Sequence, residues 1–363
     1  MSLCATASLD AAEPLAGTAA TARTWLLVEQ TGPWGAKALT ASHLDPALGR
    51  AVEAAAKGTG VRVALIRRPG RHADRHGATR HRLFLAHTAP GRSWIRTTTV
   101  ADPQAALGLD FAALGAGEHG GLWERYTGEP LVLVCTNGKR DRCCALLGRP
   151  LAAELAAAGT EVWEVTHIGG HRFAPTLFVL PYGYAYGRSS LSLAADAVAA
   201  ARDGRIALDH CRGRSTWDRP AQAADLAVRE LLGEDRADVL DVVRTDRVPP
   251  QPRPPHAPTR PQDTAPPRGP APDGSTPPQA PEPAEDTAPP HHTVSHDTAV
   301  PGEETPAWTV TVAHADGRSW RVTVEQRADG APAPASCGAP LAPPARMVVT
   351  AVTATADTAA LSG

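Results

Sequence analysis

Two stretches within the first 247 residues repeat one order of secondary-structure elements, and this repeat limits the fold more than any other feature. Each stretch contains an apolar strand, a loop, a helix, a second strand and a further strand-like segment. The first repeat occupies 25–30, 49–57, 61–66 and 80–85, and the second occupies 131–134, 148–158, 161–165 and 171–180. Units of this kind, placed in series, predict a tandem α/β arrangement. Two further helices are predicted, at 192–202 and 221–232.

A proline-rich segment from Val248 to about Pro306 follows the α/β part. It has too few apolar side chains to offset its ordering entropy, so we expect a disordered linker. Beyond it, alternating β-branched residues around Asp316-Gly317 predict a hairpin, and residues 347–352 predict another strand. The predicted domains are therefore α/β units at 20–127 and 128–247, the linker at 248–306, and a small β-rich module at 307–355.

The sequence predicts a soluble protein of the reducing cytoplasm. The net charge of −2 offers no electrostatic basis for binding nucleic acid or an anionic membrane. The N-terminal residues lack the pattern of a signal peptide, and no apolar stretch is long enough to span a bilayer. Three of the six cysteines fall within ten residues, which is typical of metal ligands or catalytic groups and unlike a disulfide framework.

Two cysteines and two histidines of the second repeat are the candidate metal ligands. Cys135 ends an apolar strand, and Cys144 lies nine positions later at the start of a helix. His167 follows the next strand, with His171 four residues beyond it. Because both strands end at one edge of a parallel sheet, we expect the four side chains to converge there. The first repeat has Glu29 in the position of Cys135, so it is predicted to be a scaffold without ligands.

Residues 169 and 170, both glycine, lie between the two histidines and predict a loop that wraps around a bulky group. Two thiolates and two imidazoles suit zinc or an iron–sulfur cluster. Structural zinc usually takes cysteines separated by about two to four residues, whereas eight residues separate Cys135 from Cys144. The spacing favours a diiron cluster, with zinc or a metal-free site as alternatives. A thiol–disulfide oxidoreductase would need a Cys-x-x-Cys pair, which is absent.

These motifs resemble the sucrase/ferredoxin-like family, whose members have a thioredoxin-like ferredoxin domain. The resemblance depends mainly on CTNGKRDRCC at 135–144 and HIGGHRFAPT at 167–176. Softer matches are GPWG at 32–35, RGRS at 212–215 with Gln222 downstream, and SCG at 336–338. The resemblance implies tandem thioredoxin-like units followed by the linker and the β module. No paired carboxylates in a recognisable setting support the sucrase activity in the family's name.

The resemblance also implies a [2Fe–2S] cluster held by Cys135, Cys144, His167 and His171, with Cys143 as the alternative to Cys144. Neutral imidazoles in place of two thiolates would raise the potential, and an accessible second ring nitrogen would make the potential depend on pH. The implied function is electron transfer with an unidentified redox partner protein.

The cations at 139, 140, 142 and 172 are predicted either to dock an acidic partner or to be solvated loop charges. Cys4 and Cys211 show no partner pattern and are expected to be ordinary. Cys337 lies in a turn of unassigned role. A zinc-stabilised binding module using the same four ligands remains the competing interpretation.

Overall fold

A ten-stranded mixed sheet forms the centre of the fold, and a separate four-stranded antiparallel sheet lies near the C-terminus. The structure is a computed structural model that describes residues 3–70, 80–249 and 305–355. The helices are α1 (Cys4–Asp10), α2 (Pro46–Ala56), α3 (Phe111–Ala116), α4 (Arg142–Ala157), α5 (Leu191–Arg202) and α6 (Arg219–Leu232). Short 3-10 helices lie at Pro103–Gly108 and His171–Phe173.

The strands of the large sheet are β1 (Thr24–Glu29), β2 (Val61–Arg67), β3 (His81–His87), β4 (Trp94–Val100), β5 (Glu124–Arg125), β6 (Leu131–Cys135), β7 (Val162–Val165), β8 (Leu177–Leu180), β9 (Tyr184–Tyr186) and β10 (Cys211–Arg214). The strands of the smaller sheets are β11 (Leu240–Val248), β12 (Ala307–His314), β13 (Ser319–Arg327), β14 (Ala333–Pro334), β15 (Leu341–Ala342) and β16 (Arg346–Thr355). The predicted α/β class is confirmed, with both repeats in one continuous sheet.

Both halves of the large sheet follow the same pairing pattern. Strand β1 pairs in parallel with β2 and antiparallel with β3. Strand β6 likewise pairs in parallel with β7 and antiparallel with β8. The sheet order is β10-β9-β8-β6-β7-β2-β1-β3-β4-β5. The strand–helix–strand–strand repeat read from the sequence is therefore present in the topology.

The two halves meet where β2 and β7 pair antiparallel. At this junction the guanidinium of Arg67 lies 2.8 Å from the carboxylate of Glu164, and both side chains are buried. Glu164 also accepts a hydrogen bond of 2.9 Å from the Thr136 hydroxyl. Arg67 stacks over the Trp34 ring and donates to the Gly32 carbonyl, so the GPWG loop is attached to the junction.

The four-stranded sheet has the order β11-β12-β13-β16 and packs on helix α6. Its buried valines include Val310 and Val322, which belong to one apolar cluster with Val228 of α6. The hairpin predicted at Asp316-Gly317 is confirmed as the connection between β12 and β13. Strand β11 comes from residues assigned above to the second α/β unit, so this sheet crosses the boundary drawn at residue 247.

One predicted element differs from the structure. The segment 171–180 reads as strand-like, but the strand begins only at Leu177, after the 3-10 turn His171–Phe173. The positive φ angles of Gly169 and Gly170 turn the chain before it can enter the sheet. Most of the predicted linker, residues 250–304, lies outside the described residues. Among the described helices, none combines the length and apolar character that crossing a bilayer requires.

Candidate metal centre

Two of the predicted ligands, Cys135 and His167, lie at the carboxyl ends of β6 and β7. These strands are parallel, and the last residue of β6, Cys135, stands opposite the last residue of β7, Val165. All five residues of β6 are buried, as expected of a central strand with a continuous apolar sequence. His167 follows two residues after β7. The expected convergence of both strand ends on one edge of the sheet is therefore observed.

Helix α4 brings the second cysteine to this edge. Its N-cap is Asp141, whose carboxylate accepts the backbone N–H of Cys143 at 2.9 Å. The ligand atoms of Cys135, Cys144 and His167 all lie within 4.8 Å of one another. Both thiols are about 1% exposed. Three of the four predicted ligands thus form one group.

His171 lies beside this group. Its ring centroid is 5.1 Å from that of His167. Its Nε2 is 2.6 Å from the carbonyl oxygen of Ala335 and 3.8 Å from Oδ2 of Asp141. A carbonyl can only accept, so Nε2 carries the hydrogen and Nδ1 has a free lone pair. The C-terminal segment therefore fixes the tautomer of this imidazole.

The turn between the histidines depends on glycine and on a buried arginine. Gly169 and Gly170 have φ angles of +82° and +72°, which confirms a loop in place of a helix. Arg212 donates from Nη1 to the Gly169 carbonyl at 3.2 Å and from Nε to the Thr18 hydroxyl at 3.0 Å. A Cβ on Gly170 would lie 2.0 Å from Nη2 of Arg212. The turn is closely fitted around this guanidinium.

The buried polar atoms of the site fit a bound metal group. Nδ1 of His167 and Nδ1 of His171 are buried, and neither has a hydrogen-bond partner among the described residues. Buried polar atoms are normally satisfied, so two unpartnered nitrogens beside two thiols point to coordination. Burial, and secondly the neighbouring His167, lower the pKa of His171, which keeps its imidazole neutral as coordination requires.

One thiol of the pair is prepared for deprotonation. A hydrogen bond from the Cys144 thiol lowers the pKa of Cys135 well below its ordinary value, and His167 adds to this effect against the opposing effect of burial. The same interaction raises the pKa of Cys144. The lowered pKa favours the thiolate, which is the form that binds metal, at Cys135.

Two arginines, the half-buried Arg62 and the buried Arg212, place positive charge beside the site. Arg62 donates from Nη2 to the His167 carbonyl at 3.0 Å and lies over the Trp25 ring. Burial lowers the pKa of Arg62, and the Cys135 thiolate opposes this change. Burial, and secondly Arg172, lower the pKa of Arg212 to about 9, so its guanidinium stays charged at neutral pH. The site is therefore suited to a group that carries or gains negative charge.

Cys143, the alternative to Cys144, faces a different set of residues. Its Sγ lies 3.5 Å from Sγ of Cys4 and 3.3 Å from Sγ of Cys337. Together with Asp141 these residues form a second group whose ligand atoms all lie within 4.8 Å of one another. Sequence reasoning left Cys4 and Cys337 without a partner. One feature of the sequence could have indicated this group. Cys143 and Cys144 are adjacent in a helix and cannot face the same site, so Cys143 had to face other residues.

The basic residues near the ligands differ in their surroundings. Lys139, Arg140 and Arg142 are exposed. Arg172 instead forms an ion pair of 2.6 Å with the buried carboxylate of Glu13. Three of the four cations noted in the sequence are therefore available at the surface.

Comparison with known protein families matches residues 15–213 to the family described as sucrase/ferredoxin-like. The matched span contains Cys135, Cys144, His167 and His171, whereas Cys4 and Cys337 lie outside it. Comparison with curated proteins and with solved structures gives no match. The match covers more than half of the chain, and the chain belongs to the sucrase/ferredoxin-like family.

Proposed function

We propose that this protein transfers electrons by means of a [2Fe–2S] cluster held by Cys135, Cys144, His167 and His171. The observation that carries the proposal is the meeting of two thiols and two imidazoles at one sheet edge, with both Nδ1 atoms buried and unpartnered. A cluster bound there would accept and release one electron. The family match supports the ferredoxin part of this proposal.

The fold around the site supports a thioredoxin-like unit. The second half places β7, β6, β8 and β9 side by side in that order, and the first half repeats it with β2, β1, β3 and β4. We propose that both halves are thioredoxin-like and that the first is a scaffold. In the first half the position of Cys135 is taken by Glu29, whose carboxylate accepts the backbone N–H of Arg82.

The protein's own residues set the charge and orientation of the site. Arg62 and Arg212 favour added negative charge, which raises the reduction potential. The Ala335 carbonyl orients the His171 ring, so that the unpartnered Nδ1 would be the atom that binds the cluster. His167 and His171 are only partly buried, and this gives electrons a short route to the surface.

The surface next to the site suits an acidic redox partner. Lys139, Arg140 and Arg142 precede or begin helix α4 and are exposed. Exposed charge of one sign steers a partner of the opposite sign and raises the rate of encounter. We therefore propose an acidic electron-transfer protein as the partner for this surface.

Zinc is the second candidate, because one observation favours it. The ligand atoms of Cys135, Cys144 and His167 lie within 4.8 Å of one another, a separation that suits a single ion. A zinc ion there would stabilise the fold and would have no redox role. The two candidates differ in colour, since zinc gives no visible absorption.

The test is a visible spectrum with iron, sulfide and zinc analysis of the full chain purified without oxygen. A red-brown protein with about two irons and two sulfides per chain supports the cluster. This colour should be lost in Cys135→Ala and in His167→Ala and retained in Cys211→Ser, which changes a buried thiol outside both groups.

Two other results would overturn the cluster. A colourless protein that loses about one zinc in Cys135→Ala would establish the zinc module. A folded protein with no metal at this site would exclude both candidates.

A further inference from the structure

We propose that Cys4, Cys143, Cys337 and Asp141 form a second metal site, which binds one zinc ion. The three thiols are brought together from helix α1, the first turn of α4 and the turn after β14. Each Sγ lies 3.3–3.5 Å from the other two. This proposal does not depend on the cluster at the first site.

The short distances indicate a single ion. A tetrahedral zinc with bonds of about 2.3 Å to sulfur holds its thiolates about 3.8 Å apart, slightly more than the distances seen here. An iron–sulfur cluster would have to divide three cysteine ligands between at least two irons, which does not suit three thiols that all lie 3.3–3.5 Å from one another. No two of these thiols are joined as a disulfide, whose sulfur–sulfur bond is about 2.05 Å. Small outward shifts would admit one ion between them.

Asp141 supplies the fourth ligand position. Both of its carboxylate oxygens lie 3.7 Å from Sγ of Cys4, close to the sulfur–oxygen separation around one zinc, about 3.5 Å. Its Oδ1 accepts the N–H of Cys143 and its Oδ2 accepts the N–H of Cys337, each at 2.9 Å. Each oxygen keeps a lone pair beyond these bonds, so the carboxylate remains able to bind metal.

The donor set selects zinc. Three thiolates and one carboxylate form a mixed soft and hard tetrahedral set, which suits Zn²⁺ better than Cu⁺ or the hard cations Mg²⁺ and Ca²⁺. Binding forms three zinc–sulfur bonds and releases the three thiol protons to solvent, with no change of oxidation state. Cys4 and Cys143 are fully buried, while Cys337 is partly exposed and gives the ion a way in.

This ion would also fix one histidine of the first site. Asp141 lies 3.8 Å from Nε2 of His171, and the Ala335 carbonyl that accepts from this nitrogen is two residues before Cys337. Zinc would join these groups covalently through Asp141 and Cys337. The second site would thus hold the C-terminal segment, through Cys337, against the helix that carries Cys144. We refer to it as the clamp.

The test is metal analysis of the full chain expressed with zinc in the medium. We expect about one zinc per chain that survives Cys135→Ala, a variant that removes a ligand of the first site only. Cys4→Ser and Cys337→Ser should each lose this zinc, and Cys211→Ser, a buried cysteine outside both groups, should keep it. Retention of the zinc in Cys4→Ser and Cys337→Ser would overturn the proposal.

A variant that fails to fold would lose zinc whether or not the proposal is correct. A second measurement therefore uses the unmutated chain. Titration with a mercurial should release the clamp zinc as the thiolates that hold it react, and Co²⁺ in its place should show thiolate-to-metal charge-transfer absorption. Absence of that absorption would overturn the proposal. So would mass spectrometry that finds a disulfide between any two of Cys4, Cys143 and Cys337 in protein purified without oxygen.

Discussion

Cys143 and Cys144 are consecutive residues of helix α4, yet their thiols belong to different groups of metal ligands. Successive residues of an α-helix point about 100° apart, so two neighbours serve two sites. Cys144 faces Cys135 and His167, while Cys143 faces Cys4 and Cys337. The first turn of this helix therefore separates a candidate redox centre from a candidate structural ion.

This separation predicts opposite phenotypes for two neighbouring substitutions. Cys144→Ser should lose the visible absorption of the first site and keep the zinc of the second. Cys143→Ser should keep the absorption and lose the zinc. Spectra and metal analysis of both variants, each purified without oxygen, provide the measurement. The same loss in both variants would mean that the two groups form one site.

The close fit of the turn at Gly170 predicts that a side chain at this position removes the cofactor while the protein still folds. In Gly170→Ala the new Cβ would lie 2.0 Å from a guanidinium that is itself held by Thr18 and Gly169, so the turn must move and carry the imidazoles with it. Gly159→Ala is the matched control, because Gly159 also has positive φ but has nothing within 4 Å of its Cβ position. The control should cost about 1–2 kcal/mol of stability and keep the absorption. Equal absorption in both variants would contradict the argument.

The charge of Arg62 predicts a change in reduction potential. Arg62→Met should lower the potential by a few tens of millivolts, on the order of 1 kcal/mol, because a half-buried positive charge near the ligands favours the reduced state. Arg62→Lys should restore most of the difference, since it returns the charge. Redox titration followed by visible absorption measures the effect. Arg68→Met, which removes an exposed charge, should change the potential much less.

The buried ion pair at the sheet junction predicts a large effect on stability. Glu164→Gln leaves the buried Arg67 without its counter-charge and should lower the free energy of unfolding by about 3–5 kcal/mol. Glu161→Gln is the control, because Glu161 pairs with Arg68 beside the same two strands but both side chains are exposed. The control should cost less than about 1 kcal/mol. Urea unfolding of both variants decides whether burial is responsible for the difference.

The surroundings of His87 predict that the free energy of unfolding falls in mild acid. The Thr24 hydroxyl donates to the Leu114 carbonyl, so it must accept from Nδ1 of His87, at 2.8 Å. The other nitrogen, Nε2, is buried without a hydrogen-bond partner in the described structure. Burial, helped by the charges of Arg92, Arg23 and Arg214, lowers the pKa of His87 from 6.5 to about 4.

The sign of the effect follows from this lowered pKa. Below pH 6.5 the unfolded chain takes up a proton at His87 and the folded protein does not, so stability falls until about pH 4, by roughly 3 kcal/mol in total. His87→Asn should remove this part of the pH dependence of urea unfolding. His43→Asn, which changes an exposed histidine, should leave it in place. An unchanged slope in His87→Asn would contradict the prediction.

The meeting of Cys135, Cys144 and His167 at one sheet edge could be predicted from the sequence, because the information for it is local. Cys135 and His167 each follow an apolar strand, Asp141 caps the helix that carries Cys144, and two glycines mark the turn. Strand ends and helix starts of this kind are determined by neighbouring residues. The convergence at one sheet edge then follows from the parallel pairing of β6 and β7.

The second group was not predictable, because its members share no local pattern. Cys4, Cys143 and Cys337 come from three distant parts of the chain, and only the tertiary fold brings them together. The pairing of β2 with β7, which joins the two repeats, is likewise a contact between distant segments. The same holds for β11, whose partner β12 lies beyond the proline-rich segment.

Val248 and Ala307 stand opposite each other in β11 and β12, although they are far apart in the chain. A cut between them would therefore produce two pieces that still pair with each other along β11 and β12. We expect the pieces to remain associated, with the longer one supplying Cys4 and Cys143 and the shorter one supplying Cys337. Because the two fragments supply different cysteines, the three-thiol group can form only when they associate. The cleaved protein could therefore serve as a two-fragment reporter of association.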